Sequence, residues 1–410
     1  MQFRRTGSQG SPRLSGLRPV DEVLDQLLGL VQPTESTETR KLDDALNCCA
    51  AADIQSLVDV PPADNSAMDG YAFNHALTPS NAWLEVSDRI PAGQSGSPLV
   101  PGTLARIFTG APVPDGADTV VMQENTETEG DRVRVLQLPA SGANVRARGQ
   151  DIRQGSTLIA RGDCLNAQRL GLIASVGISE VLVFRPLRVA IMSTGDELVE
   201  PGGSLAPGQI FNSNRYALGA LLRDMGFEVA DLGIVADTPQ DTETALAQAA
   251  RQADVILTTG GVSVGEEDHV KNAVEKLGRL ELWKLAIKPG KPLAYGEVAG
   301  TPLFGLPGNP VSTFVTFMIV ARPYLRAMQG LNQVANKALH LPAGFSFKGG
   351  GRREYLRVRT RIDQNGRLVL EKFAEQGSGI MSSVVWADGL AEVDIGQQVV
   401  EGDILKVFPL

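Results

Sequence analysis

Apolar strand segments alternate with amphipathic helical segments between residues 187 and 329, and this alternation constrains the fold more than any other feature of the sequence. The strand segment RVAIMS precedes the helical segment NSNRYALGALLRDMG, and FEVADLGIV precedes ETALAQAARQA. The strand segment DVILT then leads into Leu257–His269, LTTGGVSVGEEDH, where three glycines permit tight backbone bends. Such alternation is typical of a parallel sheet with helices on both faces. We therefore predict a doubly wound α/β domain over residues 187–329.

The same domain should contain a helix at Asp268–Leu277, two further apolar strands and a closing helix at Val311–Met328. We place the two strands at Leu285–Ile287, which ends in KPGKP, and at Leu303–Phe304, which ends in GLPGNP. Parallel strands of one sheet end at a common edge, so the segments that follow them should lie together.

Other periodicities occur outside this domain. Apolar residues at helical spacing predict a helix at Val20–Val31, and we place a second helix near Lys41–Ala51. Short alternating runs with turn residues between them predict strands from Trp83 to Arg148. Near the C-terminus, two alternating segments flank Asn365-Gly366, which predicts a β-hairpin.

We therefore predict a multidomain α/β plus β fold. Its parts are a disordered tail (1–17), an N-terminal α+β linking domain (18–60 and 150–186) that carries a β-rich inserted domain (61–149), the doubly wound domain (187–329) and a small C-terminal β-barrel domain (330–410).

Composition excludes several classes of partner. The chain has 410 residues and a net charge of -9, which argues against nucleic acid or an anionic membrane surface as the main partner. The longest strongly apolar run, Phe314–Ala321, is far shorter than the roughly 18 residues of a membrane span. Three cysteines without a C-x-x-C pair fit a reducing compartment, so we expect a cytoplasmic protein.

Polar, glycine or proline clusters follow the predicted strands of the doubly wound domain. Ligands of open parallel sheets bind outside the carboxyl ends of the strands. Ordinary connecting loops need a helix cap and little else, so this recurrence indicates a ligand site. The clusters are Thr194–Glu197, Asp237, Thr258–Asp268, Lys288 with Lys291, and Pro307–Pro310.

These clusters carry charges of both signs. Lys284, Lys288 and Lys291 offer ammonium groups to a phosphate or another oxyanion, and two prolines stiffen their loop. Glu197, Asp237 and Asp268 would repel an anionic ligand unless a hard divalent cation lay between them. We therefore expect a phosphorylated ligand with Mg²⁺. The alternatives are that the acids only cap helix N-termini and that the lysines only solvate a strand end.

Several common chemistries lack their motifs. The sequence has no G-x-x-x-x-G-K-[ST] loop and no G-x-G-x-x-G between a predicted strand and helix, so neither a Walker NTPase nor a common dinucleotide enzyme is supported. The three histidines are far apart in sequence, and no H-x-x-x-H pair suggests zinc.

Six segments, spread over nearly the whole chain, carry a family resemblance. They are DNSAMDGYA, TGAPVPDGADTVVMQE, STGDELVEPG, TTGGVSVGEEDHVK, WKLAIKPGKP and GLPGNPVSTFVTF. Their order and sequence closely resemble the molybdopterin molybdenumtransferase family, which includes bacterial MoeA proteins and the E domain of gephyrin. The resemblance implies an elongated homodimer of four-domain chains. It also implies that molybdate is inserted into the dithiolene of adenylylated molybdopterin, with Mg²⁺-dependent pyrophosphate cleavage and release of AMP.

The resemblance also assigns roles to individual residues. The catalytic residues implied are Asp268, Asp237 and Glu197, of which Asp237 and Asp268 hold the magnesium. The substrate-binding residues implied are Gly260, Gly261, Ser263, Lys284, Lys288, Lys291, Pro307 and Pro310, with Asp64, Thr109 and Asp151 facing the cleft from the other subunit. Arg352, Arg357 and Ser378, in GGRREYLR and QGSGIMSS, are the molybdate-binding candidates. His269 departs from the family, which commonly has an aromatic residue there, but the loop keeps its acids.

Two other functions remain open at this point. A molybdopterin adenylyltransferase uses a related doubly wound domain, but the large N-terminal and C-terminal regions argue against it. A non-catalytic scaffold of the same fold would have no use for a cluster of charges that lowers stability in the absence of a ligand. Beyond the small-molecule substrates, the adenylyltransferase of the same pathway is the expected partner protein.

Overall fold

A computed structural model describes residues 16–261 and 269–410 of the chain. Residues 1–15 and residues 262–268, which include Ser263 and Asp268, lie outside the described residues. Within the described ranges, none of the helices combines the length and the hydrophobicity that crossing a membrane requires.

The first helix, α1 (Val20–Gly29), forms where the apolar spacing predicts it. Val23 and Leu27 are fully buried on its inner face, and Asp21 and Glu22 occupy its first turn, where acids complement the helix dipole. The elements that follow are β1 (Thr37–Lys41), β2 (Ile54–Gln55), β3 (Asn65–Ser66), β4 (Gly70–Phe73), β5 (Trp83–Ile90), β6 (Leu104–Ile107), β7 (Thr119–Met122), β8 (Thr126–Glu129), β9 (Arg132–Val135), β10 (Val145–Arg146), β11 (Thr157–Ile159), α2 (Ala167–Ser175) and β12 (Glu180–Phe184).

The helix expected near Lys41–Ala51 is wrong. Only a 3-10 turn at Leu42–Asp44 is helical. Lys41 pairs with Glu180 of β12 instead, and Ala50 forms an isolated bridge with Val183. Cross-strand pairing therefore overrides the helical preference of this segment.

Strands of residues 61–149 pair with one another, in the order β7-β4-β6-β5-β9-β8 together with the pair β10-β3. The strands on either side of this segment pair across it, β1 with β12 and β2 with β11. The exact domain boundaries stay a prediction.

The α/β region contains one six-stranded sheet. Its elements and their neighbours are β13 (Arg188–Thr194), β14 (Leu198–Val199), β15 (Ile210–Phe211), α3 (Ser213–Asp224), β16 (Glu228–Val235), α4 (Pro239–Gln252), β17 (Val255–Thr259), α5 (His269–Leu277), β18 (Gly278–Lys284), β19 (Ile287–Lys288), β20 (Pro292–Val298), β21 (Thr301–Leu306), α6 (Pro310–Thr316) and α7 (Arg322–Met328). A π-helical stretch, Phe317–Ala321, joins α6 to α7.

Successive residues of the central strands enter different cores, as expected for a sheet covered on both faces. Val189 and Ile191 of β13 belong to one apolar cluster, whereas Ala190 and Met192 belong to a second cluster. The strand order is β16-β13-β17-β21-β20-β18, and the first four strands are parallel. The doubly wound domain is therefore confirmed.

The position predicted for a sheet strand, Leu285–Ile287, is wrong. The sheet strand there is β18, which ends at Lys284 and pairs antiparallel to β20, itself antiparallel to β21. β18 consequently runs parallel to β21 and ends at the same edge. The chain then leaves this sheet, and β19 pairs with a C-terminal strand.

The C-terminal region is mainly β-structure. Its elements are β22 (Leu339–Pro342), β23 (Phe347–Lys348), β24 (Arg353–Ile362), β25 (Leu368–Lys372), α8 (Ser382–Trp386), β26 (Gly389–Val393), β27 (Gln398–Val399) and β28 (Ile404–Pro409). The sheet order is β19-β24-β26-β28-β22, and β25 pairs with β24. The hairpin predicted around Asn365-Gly366 is confirmed by the β24–β25 pairing. The multidomain α/β plus β fold class is confirmed.

Candidate functional site

A cavity of about 630 Å³ lies at the carboxyl edge of the α/β sheet. Its walls come from the ends of β13, β17 and β21, from residues 288–292 after β18, here called the lysine loop, and from two C-terminal segments. The predicted site residues that line it are Glu197, Gly260, Gly261, Lys288, Lys291, Pro307, Pro310, Arg352 and Ser378. The rule that ligands bind beyond parallel strand ends thus locates the cavity.

Two glycines allow the loop after β17 to pass very close to β13. Gly260 and Gly261 have φ angles of +84° and +62°. A Cβ atom at Gly260 would lie 2.5 Å from the carbonyl oxygen of Thr194, and one at Gly261 would lie 2.5 Å from Val270 Cγ2. Only glycine fits both the backbone conformation and the space.

The hydroxyl of Thr194 is a polar group of this wall. Thr194 lines the cavity although its side chain is almost fully buried, at 4% exposure. Its Oγ1 atom has no hydrogen-bond partner within residues 16–261 and 269–410. A buried unpaired hydroxyl is costly, so Thr194 lowers the stability of this wall.

The lysine loop carries two of the cations of the cavity, Lys288 and Lys291. Lys288 Nζ lies 3.1 Å from Glu354 Oε2, and the side chains of Lys288 and Glu354 are 48% and 5% exposed. The other Glu354 oxygen accepts a hydrogen bond from the Gly350 amide at 3.1 Å. Lys291 also lines the cavity and is exposed, while its carbonyl oxygen accepts from the Leu285 amide at 2.7 Å.

Glu354 is a site residue that the sequence analysis missed. It lies in β24, where Glu354 and the four residues after it are all buried, and a lone acid in the sequence there gives no sign of a distant lysine. The pairing of β19 with β24 places Lys288 directly beside it. Lys284, by contrast, has an exposed side chain that does not line the cavity.

The two candidate arginines occupy different environments. Arg352 lines the cavity, and its Nη1 donates to the Ile287 carbonyl oxygen at 3.0 Å. Arg357 is 1% exposed and does not line the cavity. Its guanidinium donates to Ser383 Oγ, Tyr355 O and Gly377 O at 3.1, 3.2 and 3.3 Å.

Burial lowers the pKa of Arg357 to about 10 because the interior disfavours the charged form. The three acceptors of its hydrogen bonds all belong to the C-terminal region, and one of them, Gly377, lines the cavity beside Ser378. Arg357 therefore supports the cavity wall from behind, whereas Arg352 faces the cavity.

The structure describes two of the three predicted catalytic acids, Glu197 and Asp237. Glu197 is exposed and lines the cavity, and Asp237 follows β16, the neighbour of β13, at the same edge without lining the cavity. Asp268 and Ser263 lie outside the described residues. Across the described residues, no group of three His, Cys, Asp or Glu side chains is placed to hold a metal by itself.

Asp64, Thr109 and Asp151 belong to the N-terminal region and do not line this cavity. Asp64 Oδ1 accepts from the Arg148 amide at 2.7 Å. Asp69 Oδ1 accepts from the amide and the hydroxyl of Thr109, at 2.8 and 2.7 Å. The polar segment at Asp64–Asp69 thus forms long-range bonds, and its role in a cleft stays a prediction.

Comparisons with known proteins agree with this arrangement of a doubly wound ligand-binding region between N-terminal and C-terminal β-rich regions. Three family models match the chain: "MoeA N-terminal region (domain I and II)" over residues 18–177, "Probable molybdopterin binding domain" over 190–327 and "MoeA C-terminal region (domain IV)" over 341–410. The chain belongs to the molybdopterin molybdenumtransferase (MoeA) family, which confirms the resemblance found in the sequence.

Individual relatives match over most of their length. The molybdopterin molybdenumtransferase of Haemophilus influenzae is 39% identical over 371 residues, which cover 89% of this chain and 92% of that protein. The Nostoc protein of the same name is 39% identical over 78% of this chain and 75% of its own. The crystal structure of the molybdopterin biosynthesis MoeA protein from Pyrococcus horikoshii OT3 superposes with a TM-score of 0.81 at 27% identity, covering 96% of this chain and 100% of that one.

Proposed function

We propose that this chain inserts molybdate into adenylylated molybdopterin and releases AMP. Its relatives are transferases, and their names place the chain in molybdenum cofactor biosynthesis. The finer steps rest on one observation. Lys291, Lys288 and Arg352 converge with Glu197 on a cavity between the loops of the α/β sheet and the C-terminal sheet.

The cations of the cavity suit a ligand with more than one oxyanion. Arg352 uses one nitrogen on the Ile287 carbonyl and keeps its other donors for a tetrahedral oxyanion such as molybdate. Lys291 offers a flexible ammonium to a phosphate. Lys288 is held by Glu354, which fixes its position and offsets part of its charge.

The glycine pair would bind the substrate through its backbone. Gly260 and Gly261 bring backbone amides to the cavity, and backbone amides at glycine-rich turns bind phosphate groups well. The buried Thr194 hydroxyl lies beside Gly261. These groups orient the substrate and limit its contact with water.

We also propose that the reaction uses a magnesium ion that is shared between the protein and the substrate. Mg²⁺ is usually held by one or two carboxylates together with phosphate oxygens, which does not require a cluster of three protein ligands. Asp237 and Asp268 would hold it, with Glu197 facing the cavity. When bound, the ion supplies Lewis-acid polarisation of a pyrophosphate oxygen.

The proposal extends to the assembly and the place of action. Asp64, Thr109 and Asp151 do not line this cavity within one chain, and we propose a homodimer in which they face the cavity of the partner subunit. Direct transfer of the adenylylated substrate from the adenylyltransferase of the pathway would protect a labile molecule from water. We expect the reaction to take place in the cytoplasm.

The test is release of AMP from adenylylated molybdopterin in the presence of molybdate and Mg²⁺. Wild-type protein should release AMP, and Asp268→Asn and Lys291→Gln should release it at least about tenfold more slowly, because each change removes a charge that acts on the phosphates. Lys348→Gln, which neutralises an exposed lysine of β23 away from the cavity, is the matched control.

Absence of release by the wild-type protein would refute the proposed reaction. Wild-type rates for Asp268→Asn would refute the role of Asp268 alone. Equal rates with Mg²⁺ and with a chelator would refute the role of the metal.

A further inference from the structure

A second cavity, of about 430 Å³, lies apart from the first and has its own set of cations. It is enclosed by the segment Gly162–Arg169, the end of α3, helix α7 and the chain that follows α7. The basic residues that line it are Arg169, Arg322, Arg326 and Lys337, and the acidic ones are Asp163 and Asp224. No residue of the first cavity lines it.

Two arginines of this cavity are neighbours on α7. Arg322 and Arg326 are one helical turn apart, a spacing at which like charges repel each other. Both donate to one atom, Asn336 Oδ1, at 3.0 and 3.4 Å. The Asn336 amide nitrogen donates to the Met318 carbonyl oxygen at 2.8 Å, which fixes the orientation of its side chain.

The neutral oxygen Asn336 Oδ1 therefore accepts hydrogen bonds from both guanidinium groups. Within the described ranges, neither Arg322 nor Arg326 forms an ion pair: of the two acids that line the cavity, Asp163 pairs with Arg169 at 3.0 Å and Asp224 pairs with neither arginine. Both arginines are partly buried, and burial is the main reason that the pKa of Arg322 falls to about 10 and the pKa of Arg326 also falls. Burying cations without a counter-charge costs free energy unless an anion binds.

We propose that this second cavity binds a phosphomonoester, with Arg322, Arg326 and Lys337 contacting the phosphate. A guanidinium fork matches the geometry of phosphate oxygens, and two such forks with a lysine provide both charge and direction. The volume exceeds that of phosphate alone. Leu221, Met225 and Leu331 supply an apolar wall for the group that the phosphate carries.

Calorimetric titration with inorganic phosphate and with phenyl phosphate tests the proposal on the full-length protein. Lys337→Gln should weaken phosphate binding about fivefold or more, and Arg326→Gln about tenfold or more, because each removes a charge-assisted contact. Phenyl phosphate should bind more tightly than phosphate to the wild-type protein. Lys348→Gln, another exposed lysine, should bind as the wild type does.

Thermal unfolding separates ligand binding from a structural role. Without phosphate, Arg326→Gln should melt at or above the wild-type temperature, because one of two repelling charges is gone. With phosphate, the wild-type protein should gain stability and the variant should gain less, so their order reverses. A purely structural arginine would give a less stable variant under both conditions.

Wild-type phosphate affinity in both Arg326→Gln and Lys337→Gln would overturn the proposal and assign bound phosphate to the first cavity, where Lys291→Gln would then weaken it. Equal affinity for phosphate and phenyl phosphate would overturn the phosphomonoester assignment. If Arg326→Gln does not fold, the exposed Lys337 decides the result. None of these measurements uses molybdopterin, so their outcome is independent of the proposed reaction.

Discussion

Replacing Arg357 and Arg352 separately by glutamine should give opposite results, although both arginines lie in the same sequence motif. Arg357→Gln removes the donor to two carbonyl oxygens and one hydroxyl at a place that is 1% exposed. Each lost hydrogen bond in such a place costs about 1 to 1.5 kcal/mol. We expect the free energy of unfolding to fall by about 3 to 4.5 kcal/mol.

Arg352→Gln removes one hydrogen bond of a partly buried side chain, to the Ile287 carbonyl oxygen. The free energy of unfolding should fall by only about 1 kcal/mol. Because Arg352 faces the cavity, kcat/KM for molybdate should fall about tenfold or more, as expected for the loss of a charge-assisted contact of about 1.5 kcal/mol or more.

Two measurements check this pair of variants: urea unfolding followed by circular dichroism, and AMP release at varied molybdate concentration. Per folded molecule, Arg357→Gln should retain kcat/KM within about threefold. Backbone atoms of Arg357 still hold Gln376, whose Oε1 accepts from the Arg357 amide at 2.9 Å. Arg357→Lys should remain destabilised, because an ammonium cannot replace the planar fork.

The opposite pattern would refute the reasoning. An Arg357→Gln variant as stable as the wild type but with weakened molybdate use, together with an unaffected Arg352→Gln variant, would show that Arg357 reaches the substrate. Movement of the C-terminal sheet relative to the structure described would then be required.

Three other perturbations have defined outcomes. Gly260→Ala should lower the melting temperature more than Gly300→Ala. Both glycines have positive φ, but a new Cβ at Gly260 would lie 2.5 Å from a backbone oxygen, whereas a new Cβ at Gly300 would have no atom within 4 Å. Equal losses would show that φ alone matters. Raising the sodium chloride concentration should increase the KM for molybdate in the wild type and less so in Lys291→Gln, as salt screens exposed charges; a KM that does not depend on salt would contradict this. Hydrogen bonds from the amide and then from the hydroxyl of Thr109 lower the pKa of Asp69. The stabilisation that they give is therefore present above the ordinary carboxyl pKa and is lost as pH falls through the lowered value. In thermal unfolding, Asp69→Asn should be less stable than the wild type at pH 6 and closer to it at pH 3.

The α/β domain was predictable because its local and global signals agree. An amphipathic helical segment placed α3, and apolar strand segments placed β13 and β17 close to their observed bounds. The rule for ligands at parallel strand ends then placed the cavity. Local preference failed at Lys41–Ala51, where the backbone groups are satisfied by strands more than 100 residues away in sequence.

The site was predictable only where it belongs to this sheet. The glycine pair and the lysine loop follow from strand ends, whereas the C-terminal wall was suggested by family resemblance alone. Resemblance grouped Arg352 with Arg357, and no periodicity could separate them. Their separation follows from β24, on which Arg357 is fully buried while Arg352 precedes the strand beside Ile287.

Two contacts explain why the cavity depends on both regions of the chain. β19 leaves the α/β region and pairs with β24, which sets Lys288 beside Glu354. The Val311 amide at the start of α6 donates to the Ser378 carbonyl oxygen at 3.0 Å, which joins the loop after β21 to the C-terminal wall. The glycine pair is fixed by the sheet, but the distance from it to Lys288 and Arg352 is fixed by these two contacts. For the proposed reaction, the docking of the C-terminal sheet would control substrate position, so a change at Glu354, which does not line the cavity, should act on kcat/KM through Lys288.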